Sequence, residues 1–405
     1  MKKFNVTIIA LSVLLINLSF IIPLTYAQEK KAPRIDIVGN SIYLDGKKFL
    51  IKGVGYSPFR PGIWPGGRVA PDIIEADFKR IKEAGFNTIR VWGTMPEDQL
   101  NLAEKYDLKV IQAAGVSPNA KFDYEGFLRQ AESQVRQMAK ISKNHPNVIM
   151  YLVTNEPHSQ AILSCGIDKT IDMYKKLIAI VKQEDPSRPV SMANAYWTLW
   201  LDQSMWDVIC FNVYNYDPPL VEDMGYANFV KNLRDLYARE KPLVVTEFGL
   251  SVSPDGPGKG GYGGNTPNEQ ADGVIKDLHG IIQGGAAGGC VFEWNDEWWK
   301  GSNAAVHDTH PEEWFGIVGI ESKENPLGTP RKAYHVLKEE FKMIVTRPTE
   351  GFRMFNNADI EVNTASNIRN VRYSIDEGQQ SDLTKDADWW RGAIIGESLA
   401  PGLHT

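Results

Sequence analysis

The chain has 405 residues, of which 43% are hydrophobic and 23% charged. That is ample for a buried core and allows a single barrel domain of about 250 residues or more. Its 44 basic and 50 acidic residues give a net charge of −6, which argues against a general nucleic-acid binder, normally a basic protein.

Residues 1–27, "MKKFNVTIIALSVLLINLSFIIPLTYA", read as an export signal. Lys2 and Lys3 form a positive start, Val6–Ile22 an uncharged apolar run, and Thr25 and Ala27 the small residues before a cleavage point. An uncleaved membrane anchor is the alternative; both place the body outside the cytoplasm, secreted or at the cell surface. No later segment is long and apolar enough to span a bilayer. Next, "RIDIVGNSIYLDGKKFLIKGVGYSP" predicts a hairpin turning at Asp45-Gly46, then a strand.

Strand and helix signals then alternate. Strands are predicted at Phe49–Ser57, Asn87–Gly93, Lys109–Ala114, Val148–Asn155, Pro189–Ala193, Val208–Tyr214, Leu243–Phe248 and Gly289–Trp294. Helical spacing of apolar residues appears in "DIIEADFKRIKEAG", "FLRQAESQVRQMAKISKN", "TIDMYKKLIAIVKQED", "NFVKNLRDLYAREK", "NEQADGVIKDLHGII" and "RKAYHVLKEEF". The fifth crossover, "YWTLWLDQSMW", is short and weakly helical. Eight such repeats predict a (β/α)8 TIM barrel over residues 28–341, with a doubly wound open sheet as the alternative. Residues 342–405 change character: "DIEVN" and "RNVRYSIDEG" read as short antiparallel strands, a small β-rich tail. "LAPGLHT" resembles the turn into the last strand of an immunoglobulin-like module, but the tail falls short of the ~100 residues of a full sandwich. The three cysteines, Cys165, Cys210 and Cys290, are no disulfide framework. Cys210 and Cys290, within apolar strands, read as small buried hydrophobes.

In a barrel the chemistry sits just beyond the strand C-termini. Glu156 ends the fourth predicted strand and Glu247 lies at the end of the seventh. Alternation puts Leu152, Thr154 and Glu156 on one face, and Leu243, Val245 and Glu247 on one face, so both carboxylates are expected to point inward at the rim. Two carboxylates across an open cleft are what glycosidic bond cleavage requires, one giving a proton to the leaving oxygen and one attacking or assisting at the sugar carbon. For either Glu alone, a rim salt bridge is the simpler reading; the pair at strands four and seven favours catalysis.

The constellation resembles the retaining glycoside hydrolases of clan A, (β/α)8 enzymes with catalytic glutamates on strands four and seven. Family 5, the cellulases and mannanases, is the nearest likeness, with features of the family 2 catalytic domain, over most of residues 34–341. The resemblance implies roles. "GFNTIRVWG" gives Arg90 as the contact of the nucleophile, and "TNEP" gives Asn155 as partner of the sugar 2-hydroxyl and Glu156 as acid/base. "NVY" gives Tyr214 as hydrogen-bond donor to the nucleophile, "TEFG" gives Glu247 as the nucleophile, and "VFEWN" gives Trp294 as the platform beneath the sugar. Two positions depart from family 5: Asn212, still a candidate substrate-binding or supporting residue with Tyr56 and Trp92, stands where a His is common, and "KVIQAAG" lacks the polar or His residue expected at its end.

Arg90 beside Glu247 would favour the charged carboxylate, whereas Glu156 must meet the substrate protonated. Tyr56, Trp64, Trp92, Trp197, Trp298 and Trp299 follow predicted strands and are candidates for the cleft wall or for packing. Glu293, Asp296 and Glu297 are candidate hydroxyl partners or solvated acids. "GKGGYG", Gly258–Gly263, has dinucleotide-motif spacing but no strand before it, so it reads as a cleft-side loop. "HDTH", His307–His310, could bind a metal, but without a distant third ligand it reads as polar surface. The expectation is therefore an exported retaining β-glycosidase without cofactor or metal, acting on β-linked polysaccharide or oligosaccharide. No nucleic acid and no stable protein partner is implied. Transglycosylation, a non-catalytic carbohydrate-binding barrel and a metal-dependent hydrolase are the alternatives.

Overall fold

The computed structural model describes residues 33–396 and, beyond them, residues 399, 402 and 404. The export signal at 1–27, the first residues of the predicted barrel domain at 28–32 and part of "LAPGLHT" lie outside the described residues.

Eight parallel strands close into a barrel, which removes the open-sheet alternative. They are Ile51–Gly55, Thr88–Arg90, Lys109–Val116, Val148–Asn155, Val190–Asn194, Ile209–Asn212, Leu243–Phe248 and Gly288–Val291, here numbered one to eight. Inside it lie Ile51, Ile111, Met150, Leu152, Cys210, Val244 and Cys290. The outward faces, with Val54, Tyr151, Val153, Phe211 and Val245, share a second core with the helices. All three cysteines are buried and free.

The hairpin forms as read: Leu44 pairs with Lys47 across Asp45 (φ 50°) and Gly46 (φ 77°), the two positive φ angles of a tight two-residue turn. Its strands Ser41–Leu44 and Lys47–Phe49 join Ile35–Val38 in a three-stranded sheet. Ile42 and Leu44 enter the interior core beside Ile51, so the sheet closes the end of the barrel opposite the strand C-termini.

The tail is β-rich. Strands Met343–Arg347, Ala358–Thr364, Trp389–Ile394 and Thr384–Asp386 form a four-stranded sheet around Ile360, Val362, Leu383 and Trp390. Trp389 ties it to the hairpin: its Nε1 donates to the Lys48 carbonyl at 2.7 Å, and Lys48 pairs with Glu361 at 2.7 Å. The appended sheet thus grips the closed end and leaves the open mouth free.

Two readings need correction. The helix Glu97–Lys105 was not anticipated, because it buries only Leu100 and Ala103 and starts at Pro96 without a side-chain cap. On strand seven, Val244 faces the interior while Leu243 and Val245 pack outward, the reverse of the expected alternation. The register against strand six jumps from Val245–Phe211 to Glu247–Asn212, and this bulge resets the side-chain direction so that Glu247 still reaches the mouth.

Candidate active site

At the strand C-termini opens a cleft of about 1230 Å³, lined among others by Asn155, Glu156, Asn212, Tyr214 and Glu247. Glu156 follows directly after strand four, in the left-handed region (φ 47°) that favours glycine. Its N–H donates to the Ala193 carbonyl at 2.7 Å. This kink breaks the alternation, which is why Asn155 and Glu156, adjacent in sequence, both present side chains to the cleft.

Glu247 is 5% exposed and fully engaged. Arg90 Nη1 lies 2.9 Å from Oε1, Trp92 Nε1 donates to Oε1 at 2.9 Å, and the Tyr214 hydroxyl donates to Oε2 at 2.7 Å. Arg90 also stacks on Trp92, 4.1 Å from the ring centroid. Burial first, then the Glu247 charge, holds the Tyr214 hydroxyl well above the usual tyrosine range, so it stays a donor. A cation and two hydrogen-bond donors therefore converge on one acceptor-only carboxylate.

Glu156 lives under opposite conditions. Burial pushes its carboxyl up to about 8, with the Glu247 charge adding to the effect. Asn212 Nδ2 donates to Glu156 Oε1 at 2.8 Å and to Asn155 Oδ1 at 3.2 Å. The Thr246 hydroxyl donates to Asn212 Oδ1 at 2.7 Å, fixing which way that amide faces. Asn155 Oδ1 also accepts from Arg90 Nη2, which turns the Asn155 amide nitrogen away from these donors. Asn212 thus links the two carboxylates through one polar chain. In Asn212→Ala, kcat/KM should fall about 2- to 10-fold, the loss of a hydrogen bond to a neutral carboxyl worth about 0.5–1.5 kcal/mol. Because the Asn212 hydrogen bond pulls the Glu156 pKa down, its removal should move the basic limb of the kcat/KM profile to higher pH. Steady-state rates from pH 5 to 10 read both effects.

Trp294 is not a sugar platform. It is 1% exposed and sits behind the barrel, edge-on to Tyr334 at 6.0 Å and with Arg80 over its ring at 5.7 Å. The aromatic ring that this segment brings to the cleft is Phe292, set edge-on to Trp92 (5.6 Å) and Tyr214 (6.1 Å). Tyr56 bounds the cleft, but its hydroxyl is spent on Asp77 at 3.0 Å and is not free for a sugar. Trp64, Trp92, Trp197 and Trp299 line the cleft, whereas Trp298 is buried and donates to the Ile320 carbonyl. Glu293, Asp296 and Glu297 are all buried, and of the three Glu297 lines the cleft.

The Gly-rich loop is cleft-side as read. Gly263 takes φ 80°, and its neighbour Tyr262 lines the cleft and donates to Glu312 Oε1 at 2.9 Å. In "HDTH", His307 stacks between Trp298 (5.1 Å) and Trp314 (3.7 Å), and no group of three or more metal-type side chains is found among the described residues. Sequence reasoning missed Tyr216, Lys300 and Glu312 in the lining, and placed the loop of Tyr262 there without singling out its ring. Tyr216 had a signal, lying two residues beyond Tyr214; Glu312, in a loop after strand eight, had none.

A barrel with carboxylates at the ends of strands four and seven defines a class of sugar-processing folds, and comparison narrows it. The family model "Glycosyl hydrolases family 2, TIM barrel domain" matches residues 35–262, more than half of the chain. The chain belongs to glycosyl hydrolases family 2, and the closer likeness to family 5 is set aside; the Asn at position 212 already pointed away from it. Among curated proteins it is similar to the β-glucuronidase of Canis lupus familiaris, 28% identical over 211 residues, covering 50% of this chain and 29% of that protein. The β-glucuronidase of Streptococcus agalactiae is 26% identical over 245 residues, covering 54% and 39%. The chain thus spans about a third of the length of these relatives. Among solved structures, Bacteroides uniformis β-glucuronidase superposes with a TM-score of 0.63 at 18% identity, covering 90% of this chain and 44% of that one. The galacturonate-bound β-galacturonidase of Eisenbergiella tayi gives 0.60 at 20% identity, covering 76% and 53%. At these identities the superpositions speak to the fold alone.

Proposed function

We propose that this protein is an exported retaining β-glycoside hydrolase acting on β-linked oligosaccharide or polysaccharide by double displacement. The observation that carries the reading is the opposite treatment of the two glutamates: Glu247 set against Arg90, Trp92 and Tyr214, and Glu156 held protonated near neutral pH.

In the first step a Glu247 oxygen attacks the anomeric carbon while the Glu156 proton passes to the glycosidic oxygen, and the alcohol leaves. The product is a glycosyl ester on Glu247. Its formation removes the Glu247 negative charge, one of the causes that hold the Glu156 pKa up, so Glu156 becomes the better base. In the second step Glu156 takes a proton from water, the oxygen attacks the anomeric carbon, and the ester bond breaks to return Glu247. Two inversions at one carbon give net retention. A sugar hydroxyl in place of water gives transglycosylation by the same route.

A cleft of about 1230 Å³ exceeds the ~300–1,000 Å³ usual for a small ligand, which supports a substrate of more than one ring. Its aromatic walls support stacking on sugar faces. Export rests on the pattern of residues 1–27. The test is a panel of β-glucans, β-mannans and aryl β-glycosides, with proton NMR of the first-formed anomer. Retention on at least one member is expected. First-formed α-anomer would sink double displacement, and binding without turnover on any member would favour a carbohydrate-binding barrel.

A further inference from the structure

The relatives named above act on uronides, so the charge around this cleft is informative. Arg90 is committed to Glu247. Lys300 is also committed: its Nζ lies 2.8 Å from Glu293 and 3.0 Å from Glu297, and it covers the Phe292 ring at 4.2 Å. Three further carboxylates line the cleft, Asp98, Asp217 and Glu312, and none forms an ion pair among the described residues. Against them stand Arg68, on the exposed rim, and the Lys300 charge, which Glu312 shares with Glu293 and Glu297.

Glu312 is the best placed of the three. Tyr262 donates to its Oε1, which orients the carboxylate, and its charge is felt at Glu156, where it helps to keep the proton on. Such a group accepts from a sugar hydroxyl and repels a second carboxylate. Its loop also supplies His310, whose ring nitrogen accepts from the Glu312 N–H at 3.3 Å and so steadies the turn.

We infer that this cleft selects neutral, hydroxyl-bearing β-glycosides and rejects uronides, with Glu312 as the residue that makes the distinction. The inference rests on the glycosidase reading above and names its substrate class. A uronate adds a negative charge to a cleft whose two inner cations are already matched and outnumbered by carboxylates, Lys300 alone facing Glu293, Glu297 and Glu312. The neutral sugar adds none and gives Glu312 a hydroxyl to accept from.

The test uses nitrophenyl β-glycosides sharing one leaving group: glucoside, galactoside, mannoside and xyloside against glucuronide and galacturonide. The best neutral member should exceed the better uronide in kcat/KM by about a hundredfold or more, since like charges brought together are strongly disfavoured. Raising the ionic strength should narrow that gap by screening. Glu312→Gln keeps an acceptor oxygen and removes the charge, so it should raise the uronide-to-neutral ratio about tenfold, whereas Glu312→Asp should keep the parent ratio. A uronide preference in the parent would overturn the inference while leaving the glycosidase reading intact. An unchanged ratio in Glu312→Gln would overturn the assignment to Glu312. No turnover on any member, nor on the β-glucans and β-mannans above, would remove both the reading and the inference built on it. Turnover of the glucans or mannans alone, with charged β-linked uronans refused, would uphold the inference.

Discussion

Glu247→Ala is expected to lower kcat by about 10⁵-fold or more, the scale on which removal of a nucleophile acts. The side chain is buried, and its loss leaves Arg90, Trp92 and Tyr214 facing a small cavity. Azide fits such a space and needs no proton removed. With a dinitrophenyl glycoside, added azide should restore turnover and yield the α-glycosyl azide, the product of a single inversion. Polarimetry or NMR of the product decides it. A β-azide, or no rescue with the fold intact, would move the nucleophile elsewhere.

Glu156→Gln should give the second large effect, and a different one. For substrates with a poorly leaving alcohol, kcat/KM should fall about 10²- to 10⁴-fold, the usual worth of a positioned general acid. A dinitrophenolate leaves without a proton, so with that substrate kcat/KM should scarcely change, while kcat and KM fall together because water attack on the ester has lost its base. The pH profile supplies the sign. Glu156 must be protonated in the free enzyme, so the parent kcat/KM should hold below about pH 8 and fall above it. In Glu156→Gln that limb should be absent. Azide here should give the β-glycosyl azide, the opposite anomer to that from Glu247→Ala.

Much of the barrel was legible because each strand is an apolar run bounded by turn residues. The limits of strands four and seven agree with the sequence reading, Val148–Asn155 and Leu243–Phe248. Strand two is shorter than read, Thr88–Arg90: the Val91 N–H still donates to the Ile111 carbonyl at 3.2 Å, and the chain then leaves the ladder along the cleft at Trp92 and Gly93. Three features resisted. The helix Glu97–Lys105 is mostly polar and uncapped, so its pattern was too thin. The bulge at Val245–Glu247 changes which side chains face in, and alternation alone gave the right place for Glu247 for the wrong reason. Trp294 lies within a segment that supplies the cleft with Phe292, two positions earlier, and aromatic identity could not say which ring turns inward.

The site was legible where short motifs pack several functional groups together. "TNEP" and "TEFG" placed Asn155, Glu156 and Glu247, and "NVY" placed Asn212 and Tyr214 on one strand end. Trp92 reads from the sequence as a cleft residue that supports the substrate, yet it donates directly to Glu247, two residues beyond the Arg90 that pairs with the same oxygen. Glu312 and Tyr262 come from separate loops after strands eight and seven. Only the folded chain brings them together, at a hydrogen bond of 2.9 Å.

The central claim is a covalent glycosyl ester on Glu247. The direct measurement is mass spectrometry of the protein incubated with an activated 2-deoxy-2-fluoro-β-glycoside of the sugar that the panel selects. The fluorine slows both steps and the good leaving group restores the first, so the ester should accumulate. One added fluoroglycosyl unit, mapped to the peptide that contains Glu247 and absent when Glu156 alone remains, is the predicted result. Turnover of the parent sugar with no adduct, or an adduct on any other residue, would contradict the account.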